Sequence, residues 1–468
     1  MSQNCGKTLL TLSEASEKLC LLAKSSPVQR IADALGDKSR LHIVGGSVRE
    51  TLLGKTHGDL DLACRVKPDQ VLDRLNKAGI HCVPTGIEHG TVIAVIDGTN
   101  VEITTFRAPG SRYVGKQRYS NDILTDLQGR DFTINAIAYS IADNKIIDPL
   151  SGYDDLTKGV VKAVMSPRER FHEDPLRMMR MVRFGPVENR KIDDATYDTA
   201  KAYYNLIEKV SWERIRDEFI KIILSDYPAE GLEALKDLKI LNIILPEIVP
   251  SYGFEQNEYH LYDVFEHTLK VIENTPQNLT QRITALFHDI GKPYTLSVGE
   301  DGRRHFYKHE IVGTDLAKKA MKRLKFPNKQ IKDVTTLVRH HMRPIECGPA
   351  GLRRLYRDLG ELFDTWLEFK RADALGAKMD EEEFNKRLRT FYELIDEEER
   401  RRQEENYLKL AVNGHDLIEL GYKEGKKLGK ALKKLEEAVL DDPSLNERET
   451  LLSLAKEYLL SSEFNNGV

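Results

Sequence analysis

Cysteine is scarce and scattered in this chain. The five residues, Cys5, Cys20, Cys64, Cys82 and Cys347, are odd in number and show no CxxC spacing. They read as reduced thiols of a cytoplasmic protein rather than a disulfide framework. Long apolar runs are missing too: no stretch approaches the length of a membrane span, and the N-terminus lacks a basic-then-apolar leader. No membrane partner is therefore expected. Nor is positive charge in excess, with 70 Lys and Arg against 74 Asp and Glu and a net charge of −4. Any nucleic-acid surface must then be a local basic patch, offset by acids elsewhere. What is abundant is charge of both signs, 31% of residues, beside 40% hydrophobic content over 468 residues. That composition fits a soluble, helix-rich protein of several domains.

The densest chemical signal lies at residues 43–63, IVGGSVRETLLGKTHGDLDLA. The apolar run Leu41 to Val44 ends in Gly45-Gly46, and Val48, Leu52 and Leu53 then recur at helical spacing around Arg49. Beyond Gly54, Asp59-Leu60-Asp61-Leu62-Ala63 alternates like a strand, which puts Asp59 and Asp61 on one face. Two neighbouring carboxylates repel unless a cation sits between them, and hard oxygen ligands suit Mg²⁺. Glycines let a phosphate approach the backbone at a helix N-terminus, with Arg49 one turn in. A triphosphate cradle with paired carboxylates points to two-metal phosphoryl or nucleotidyl transfer. A DxD alone would read as a solvated surface strand; its spacing from GGxVR argues otherwise. Thr91–Ile96 and Val101–Thr105 read as hairpin strands joined at Asp97-Gly98. Glu102 is then either a third carboxylate beside Asp59 and Asp61 or an exposed strand residue.

This stretch resembles motif A of the class II nucleotidyltransferases of the DNA polymerase β superfamily, among them CCA-adding tRNA nucleotidyltransferases and bacterial poly(A) polymerases. Glu50 stands where members usually carry Asp. GRDFTINAIAYS (129–140) resembles motif B, with Gly129 in place of the first of two arginines. The resemblance implies that Arg130 holds the triphosphate while Asp131 and Asn135 bond ribose hydroxyls or orient neighbours. Alone, the run reads as a helix start with a capping acid. IIDPLSGYDDL (146–156) resembles motif C, a turn joining head to neck. Residues 107–127 between these motifs lack periodicity, and a loop of that length is usually functional or mobile. In the family a flexible loop there helps change nucleotide specificity. Here Gly98, Gly110 and Gly115 supply joints, and Arg112, Lys116 and Arg118 either touch phosphates or stay solvated.

HEDPLRMMRMVRF (172–184) reads as a helix with Pro175 in its first turn. Asp174, Arg177, Arg180 and Arg183 recur every three residues, so Asp174 and Arg177 are neighbours and Arg183 has rotated away. An Asp174–Arg177 ion pair is one reading. The other is base recognition. Cytosine and adenine show an amino donor beside a ring-nitrogen acceptor, whereas uracil and guanine show a carbonyl beside a ring N–H. A carboxylate next to a guanidinium complements the first pattern and clashes with the second. The segment resembles motif D, where family members read the incoming base in this way; Arg180 and Arg183 would support the helix. VSWERIRDEFIKIIL (210–224) resembles motif E, a scaffold helix beneath it.

Residues 225–373 read as helical and hold most of the histidines. His288-Asp289 lies in ALFHDIGKP, with His267 upstream, His309, His340 and His341 downstream, and Asp373 in KRADALG. A lone His on an apolar face is core filler; an HD pair followed by Gly291-Lys292 is more specific. The pattern resembles the HD superfamily of metal-dependent phosphohydrolases. That implies ligation by His267, His288, Asp289 and Asp373, with His309 and His340 or His341 completing a two-metal site. Imidazole with carboxylate suits a transition metal such as Ni²⁺ or Mn²⁺ better than Mg²⁺ alone. A degenerate fold that only scaffolds is the competing reading.

Residues 374–410 form a charged helical run expected to be solvent-exposed and to link two bodies. Lys423, Lys426, Lys427 and Lys430 then cluster around Gly425 and Gly429 at a helix start, as an RNA-phosphate contact or a solvated face. Residues 413–455 resemble the C-terminal segment of HD-containing CCA-adding enzymes. The expected fold is α+β: a small polymerase β-like head with a mixed sheet and helices, then a long all-α neck, HD body and tail. Boundaries are expected at 1–35 for N-terminal helices, 36–165 for the head, 166–225 for the base-reading neck, 226–373 for the HD body and 374–468 for the RNA-binding tail. The resemblance implies addition of CCA to tRNA 3′ ends from CTP and ATP on Mg²⁺, with an HD phosphohydrolase activity. A CC-only or A-only adder, a poly(A) polymerase, or chiefly an HD phosphohydrolase are the alternatives. Nothing in the sequence bears on oligomeric state.

Overall fold

The computed structural model describes residues 9–36, 40–55, 59–83, 90–108, 118–256, 262–404 and 409–460. Gly110, Arg112, Gly115 and Lys116 lie outside the described residues. The chain divides into two compact units, Met1–Val249 with Arg323–Lys325, and Pro250–Lys322 with Phe326–Val468.

The first unit is built on seven strands: β1 (His42–Val44), β2 (Leu60–Cys64), β3 (His81–Val83), β4 (Thr91–Ile96), β5 (Thr99–Thr105), β6 (Ala138–Ser140) and β7 (Lys145–Ile147). Their spatial order is β3-β4-β5-β2-β1-β6-β7. β2 and β5 run parallel while the other neighbours are antiparallel, so the sheet is mixed, as expected. The parallel register sets Asp61 opposite Glu102 and Leu62 opposite Ile103. The β4–β5 hairpin turns on Asp97 and Gly98, both left-handed (φ 51° and 76°), the geometry that matches strand twist. Helices Leu12–Ala23 and Ser26–Leu35 pack on this head, against Gly45–Leu52 and Pro68–Lys77 respectively.

Two local expectations change. GRDFTINAIAYS does not start a helix: Thr133–Asn135 is one 3₁₀ turn, and β6 follows, paired with β1. A short apolar run beside a strand edge satisfies its backbone groups in the sheet instead. The single helix expected over 172–184 is broken. Pro167–Glu173 ends at Asp174, whose backbone is extended (φ −151°), and a second helix, Arg177–Phe184, follows. Pro175 is the cause, since a residue before proline is pushed out of the helical region. The helix Trp212–Ile223 packs beneath Arg177–Phe184 as expected.

The second unit is helical, and its charged run is not a free linker. Helix Glu381–Glu404 buries Phe384, Phe391 and Ile395 in one core with Phe363 and Trp366. These three residues make an apolar stripe at helical spacing, hidden in sequence by the charges around them. Glu398, on the same helix, is buried and accepts from Arg353 Nη1 at 3.0 and 2.9 Å. Arg353 also donates to the carbonyls of Leu440 and Asp441, fastening the C-terminal helices to this core. Replacing Glu398 with Ala strands a buried guanidinium, and a loss of about 3 kcal/mol is expected. Thermal denaturation checks this, and an unshifted melt of the Glu398→Ala chain would refute it. The tail packs helices Gly414–Glu419, Lys426–Asp441 and Arg448–Leu460 around Leu417, Tyr422, Leu435 and Leu451. Lys423, Lys426, Lys427 and Lys430 are all exposed there. Among the described residues no helix is long and apolar enough to cross a membrane.

Candidate functional site

The first site begins where β1 ends. Val44 is extended, Gly45 takes φ 59°, and the helix Gly45–Leu52 starts at once. The turn is tight because the Asp61 carboxylate lies against it. Ser47 N–H donates to Asp61 Oδ2 at 3.3 Å, and Asp61 N–H donates to Ser47 Oγ at 2.8 Å. A Cβ on Gly46 would come within 2.8 Å of Asp61 Oδ2, and one on Gly45 within 3.0 Å of Arg130 Nη1. Gly46→Ala should therefore displace the carboxylate while sparing the fold. A drop of about a hundredfold in turnover with an unshifted melting temperature is the expected result. Near-normal turnover would show that the Asp61 position is not critical.

Asp59, Asp61 and Glu102 line one cleft with room for about 600 Å³, together with Gly45, Gly46, Arg49, Arg130, Asp131, Asn135, Asp174, Arg177, Arg180 and Arg183. Every head and neck residue picked out by its motif thus converges on one space. Arg118 is exposed and is not among the lining residues. Burial raises the Asp61 carboxyl above its ordinary range, against the pull of Arg130 and the Gly46 and Ser47 N–H groups. Glu102 keeps an open edge to solvent, yet its carboxyl is raised as well, first by desolvation in the cleft and then by the Asp61 charge. Negative charge crowded in this way is what a divalent cation relieves, so the carboxylates fit a divalent metal ion.

The cations are held by named partners. Arg49 Nη1 donates to Asn135 Oδ1, and its buried Nε has no hydrogen-bond partner among the described residues. Asn135 Nδ2 donates to Asp131 Oδ1 at 3.1 Å, and Asp131 Oδ2 accepts from Arg180 Nε at 2.7 Å. Asp131 and Asn135 thus link Arg49 to Arg180 through hydrogen bonds. Burial would raise the Asp131 carboxyl, but Arg180 and Arg177 outweigh it and hold it far below the usual carboxylate range. Arg183 pairs with Glu218, and the guanidiniums of Arg49, Arg180 and Arg183 stand over the Phe184 ring at 4.6, 5.3 and 4.0 Å.

The expected Asp174–Arg177 side-chain pair has a different form. Asp174 accepts from Arg214 Nη2 at 3.1 and 2.8 Å, whereas Arg177 donates to Glu173 Oε2 at 3.0 Å and to the Gly129 carbonyl at 2.9 Å. Arg214, Arg107, Lys221 and Phe184 also line the cleft and were missed in the sequence. So was Asp126, buried behind it, which binds Arg130 at 3.0 and 3.2 Å and the Arg107 N–H at 3.0 Å. Only its i,i+4 spacing from Arg130 hinted at this.

The second site lies in the second unit. His267, His288 and Asp373 form one group and Asp289, His309 and His341 another, with the ligand atoms of each within 4.8 Å of one another. Asp289 faces both groups. Its Oδ2 is 3.2 Å from His288 Nε2, and its Oδ1 is 3.4 Å from His309 Nε2 and 3.6 Å from His341 Nε2. Lys292 Nζ lies 2.6 Å from Asp289 Oδ2. His340 is in neither group. Successive helical residues point about 100° apart, so only one of His340 and His341 can face Asp289. The His309 and His341 Nδ1 atoms each lie 2.7 Å from a backbone carbonyl, which can only accept. Each Nδ1 therefore carries a proton, and the two Nε2 atoms face each other at 3.2 Å beside Asp289 Oδ1. Such an arrangement fits a cation held between them.

The family pattern described as Poly A polymerase head domain matches residues 41–162, and the one described as probable RNA and SrmB-binding site of polymerase A matches 190–251. An HD domain matches 258–359, and a putative tRNA nucleotidyltransferase domain 2 matches 311–455. The CCA-adding enzyme of Ligilactobacillus salivarius is 31% identical over 423 residues, covering 89% of this chain and 92% of the relative. The chain belongs to the CCA-adding enzyme family. It is a nucleotidyltransferase. The crystal structure of the Bacillus stearothermophilus CCA-adding enzyme in complex with CTP superposes with TM-score 0.68 at 25% identity, covering 94% of this chain and 100% of that one. The A-adding tRNA nucleotidyltransferase of Deinococcus radiodurans is 29% identical over 352 residues, 72% of this chain and 76% of that one.

Proposed function

We propose that this chain adds C, C and A in turn to tRNA 3′ ends from CTP and ATP. The observation that carries this reading is the cleft that the carboxylates Asp59, Asp61 and Glu102 share with the Gly45-Gly46 turn and with Asp174 and Arg177. Asp59 and Asp61, with Glu102 in register beside Asp61, would hold Mg²⁺, which when bound lowers the charge barrier to attack by the tRNA 3′-hydroxyl and steadies the leaving pyrophosphate. The Gly45-Gly46 turn admits the triphosphate, and Arg49 and Arg130, anchored on Asn135 and Asp126, grip it. Asp174 accepts the amino hydrogen that cytosine and adenine share, and Arg177 faces the ring nitrogen. Lys423, Lys426, Lys427 and Lys430 contact tRNA phosphates. The boundaries between head, neck, HD body and tail follow the spans read from the sequence.

The second cluster supports a separate phosphohydrolase activity. His267, His288, Asp289, Asp373, His309 and His341 would hold two transition-metal ions such as Ni²⁺ or Mn²⁺, which supply an activated water. Lys292 holds Oδ2 of the shared Asp289 carboxylate, the oxygen that also faces His288.

Incubation with tRNAs trimmed to each 3′ stage tests the main reading. A tRNA lacking all three nucleotides should gain CC from CTP and then one A from ATP. A chain that stops at CC, or that extends only tRNA already ending in CC, would be a partial adder, as the A-adding relative is by name.

A further inference from the structure

Asp174 is 4% exposed, yet it borders the nucleotide cleft. Its backbone is pinned from both sides: its N–H donates to Arg170 O at 3.2 Å and its carbonyl accepts from the Arg177 N–H at 3.0 Å. The carboxylate is held separately. One guanidinium nitrogen of Arg214 bonds both of its oxygens, reaching across from the helix Trp212–Ile223. The Arg214 side chain is 48% exposed in the same cleft.

We propose that Arg214 is a specificity-determining residue that keeps Asp174 an ionised, acceptor-only group and so decides which nucleobases the cleft admits. This rests on the reading that Asp174 meets the base. An ionised carboxylate can only accept, so it matches the amino group of cytosine or adenine and repels the carbonyl of uracil or guanine. A protonated carboxyl gains an O–H donor and can bond that carbonyl. Burial favours the neutral form unless a fixed positive charge opposes it.

Three further cations near Asp174 have acidic partners of their own. Arg177, on the following helix, spends its guanidinium on Glu173 and the Gly129 and Arg170 carbonyls. Arg180, one turn on, is bound to Asp131 from the head, and Arg170 on the preceding helix is bound to Glu173. The fields of Arg177 and Arg180 reach Asp174, but each also acts on the acids it is bonded to. Arg214 bonds the carboxylate itself.

The test uses the full chain, tRNA trimmed at its 3′ end, and CTP or UTP separately, from about pH 6 to about pH 8. Arg214→Gln should lower the CTP-over-UTP preference about tenfold near neutrality, the scale of one lost base contact. The loss should deepen as pH falls, because the protonated, donor-bearing fraction grows. Arg214→Met should reproduce this, while Arg214→Lys and the unaltered chain should stay selective across the range. Asp174→Asn, whose amide can donate to a carbonyl, reports on the underlying reading and should lose selectivity at every pH. Wild-type selectivity in both neutral Arg214 variants, with selectivity lost in Asp174→Asn, overturns the role of Arg214 alone. Wild-type selectivity in all of them removes base reading by Asp174 as well. A loss equal in Arg214→Lys and independent of pH marks packing rather than charge, and also overturns the proposal.

Discussion

Asp61→Asn is expected to lower incorporation of both CTP and ATP about a thousandfold or more, the scale of several kcal/mol of lost transition-state stabilisation. The side chain stays nearly isosteric, and Ser47 N–H can still donate to its Oδ atom, so the turn at Gly45-Gly46 should persist. Asp59→Ala, at the exposed start of β2, should act in the same direction without touching the core. Single-turnover incorporation on trimmed tRNA measures the effect, with melting curves alongside. Turnover within tenfold of the unaltered chain for Asp61→Asn would remove this cleft as the active site.

Asp289→Asn should abolish hydrolysis at the second site and strip its metal, because that one carboxylate faces all of His288, His309 and His341. Burial alone would raise the Asp289 carboxyl, yet His288 and Lys292 hold it well below its usual range, so it stays ionised and ready to ligate. Metal content after chelation and reloading with Ni²⁺ or Mn²⁺ gives a readout independent of any substrate. Hydrolysis of phosphomonoesters and 2′,3′-cyclic phosphates gives a second one, with a loss of about a thousandfold expected. Nucleotide addition by the same variant should be unchanged. A chain that binds no transition metal and hydrolyses neither substrate under any ion would be a scaffold at this site.

Much of the first site was legible because periodicity carries it. The alternation around Asp59 and Asp61 and the helical spacing after Gly46 encode local structure directly, and β2 and the helix Gly45–Leu52 follow. What was not legible is partner choice over long sequence separations. Nothing local says that Asp174 takes Arg214 rather than Arg177, since both lie within reach and the decision falls to the proline break before the second helix. Asp126 fell in a stretch without periodicity and gave no sign that it is buried behind Arg130. The choice between His340 and His341 depended on helix phase relative to Asp289, which only tertiary packing sets. The apolar stripe of Glu381–Glu404 was masked by composition, because its few apolar residues in a run of acids and arginines average to a polar segment.

The register of β2 against β5 has a consequence for the sheet as well as for the chemistry. Like-charged residues directly opposite on neighbouring strands weaken their pairing. Asp61 and Glu102 are such a pair, set in the central parallel ladder where every other neighbour favours closure. The head would be firmer with two apolar residues there, and inert. Any divalent ion bound between the two carboxylates acts on folding by mass action, so the rigidity of the sheet becomes a function of ion concentration. A working site and a maximally stable sheet are two different optima for the same pair of side chains.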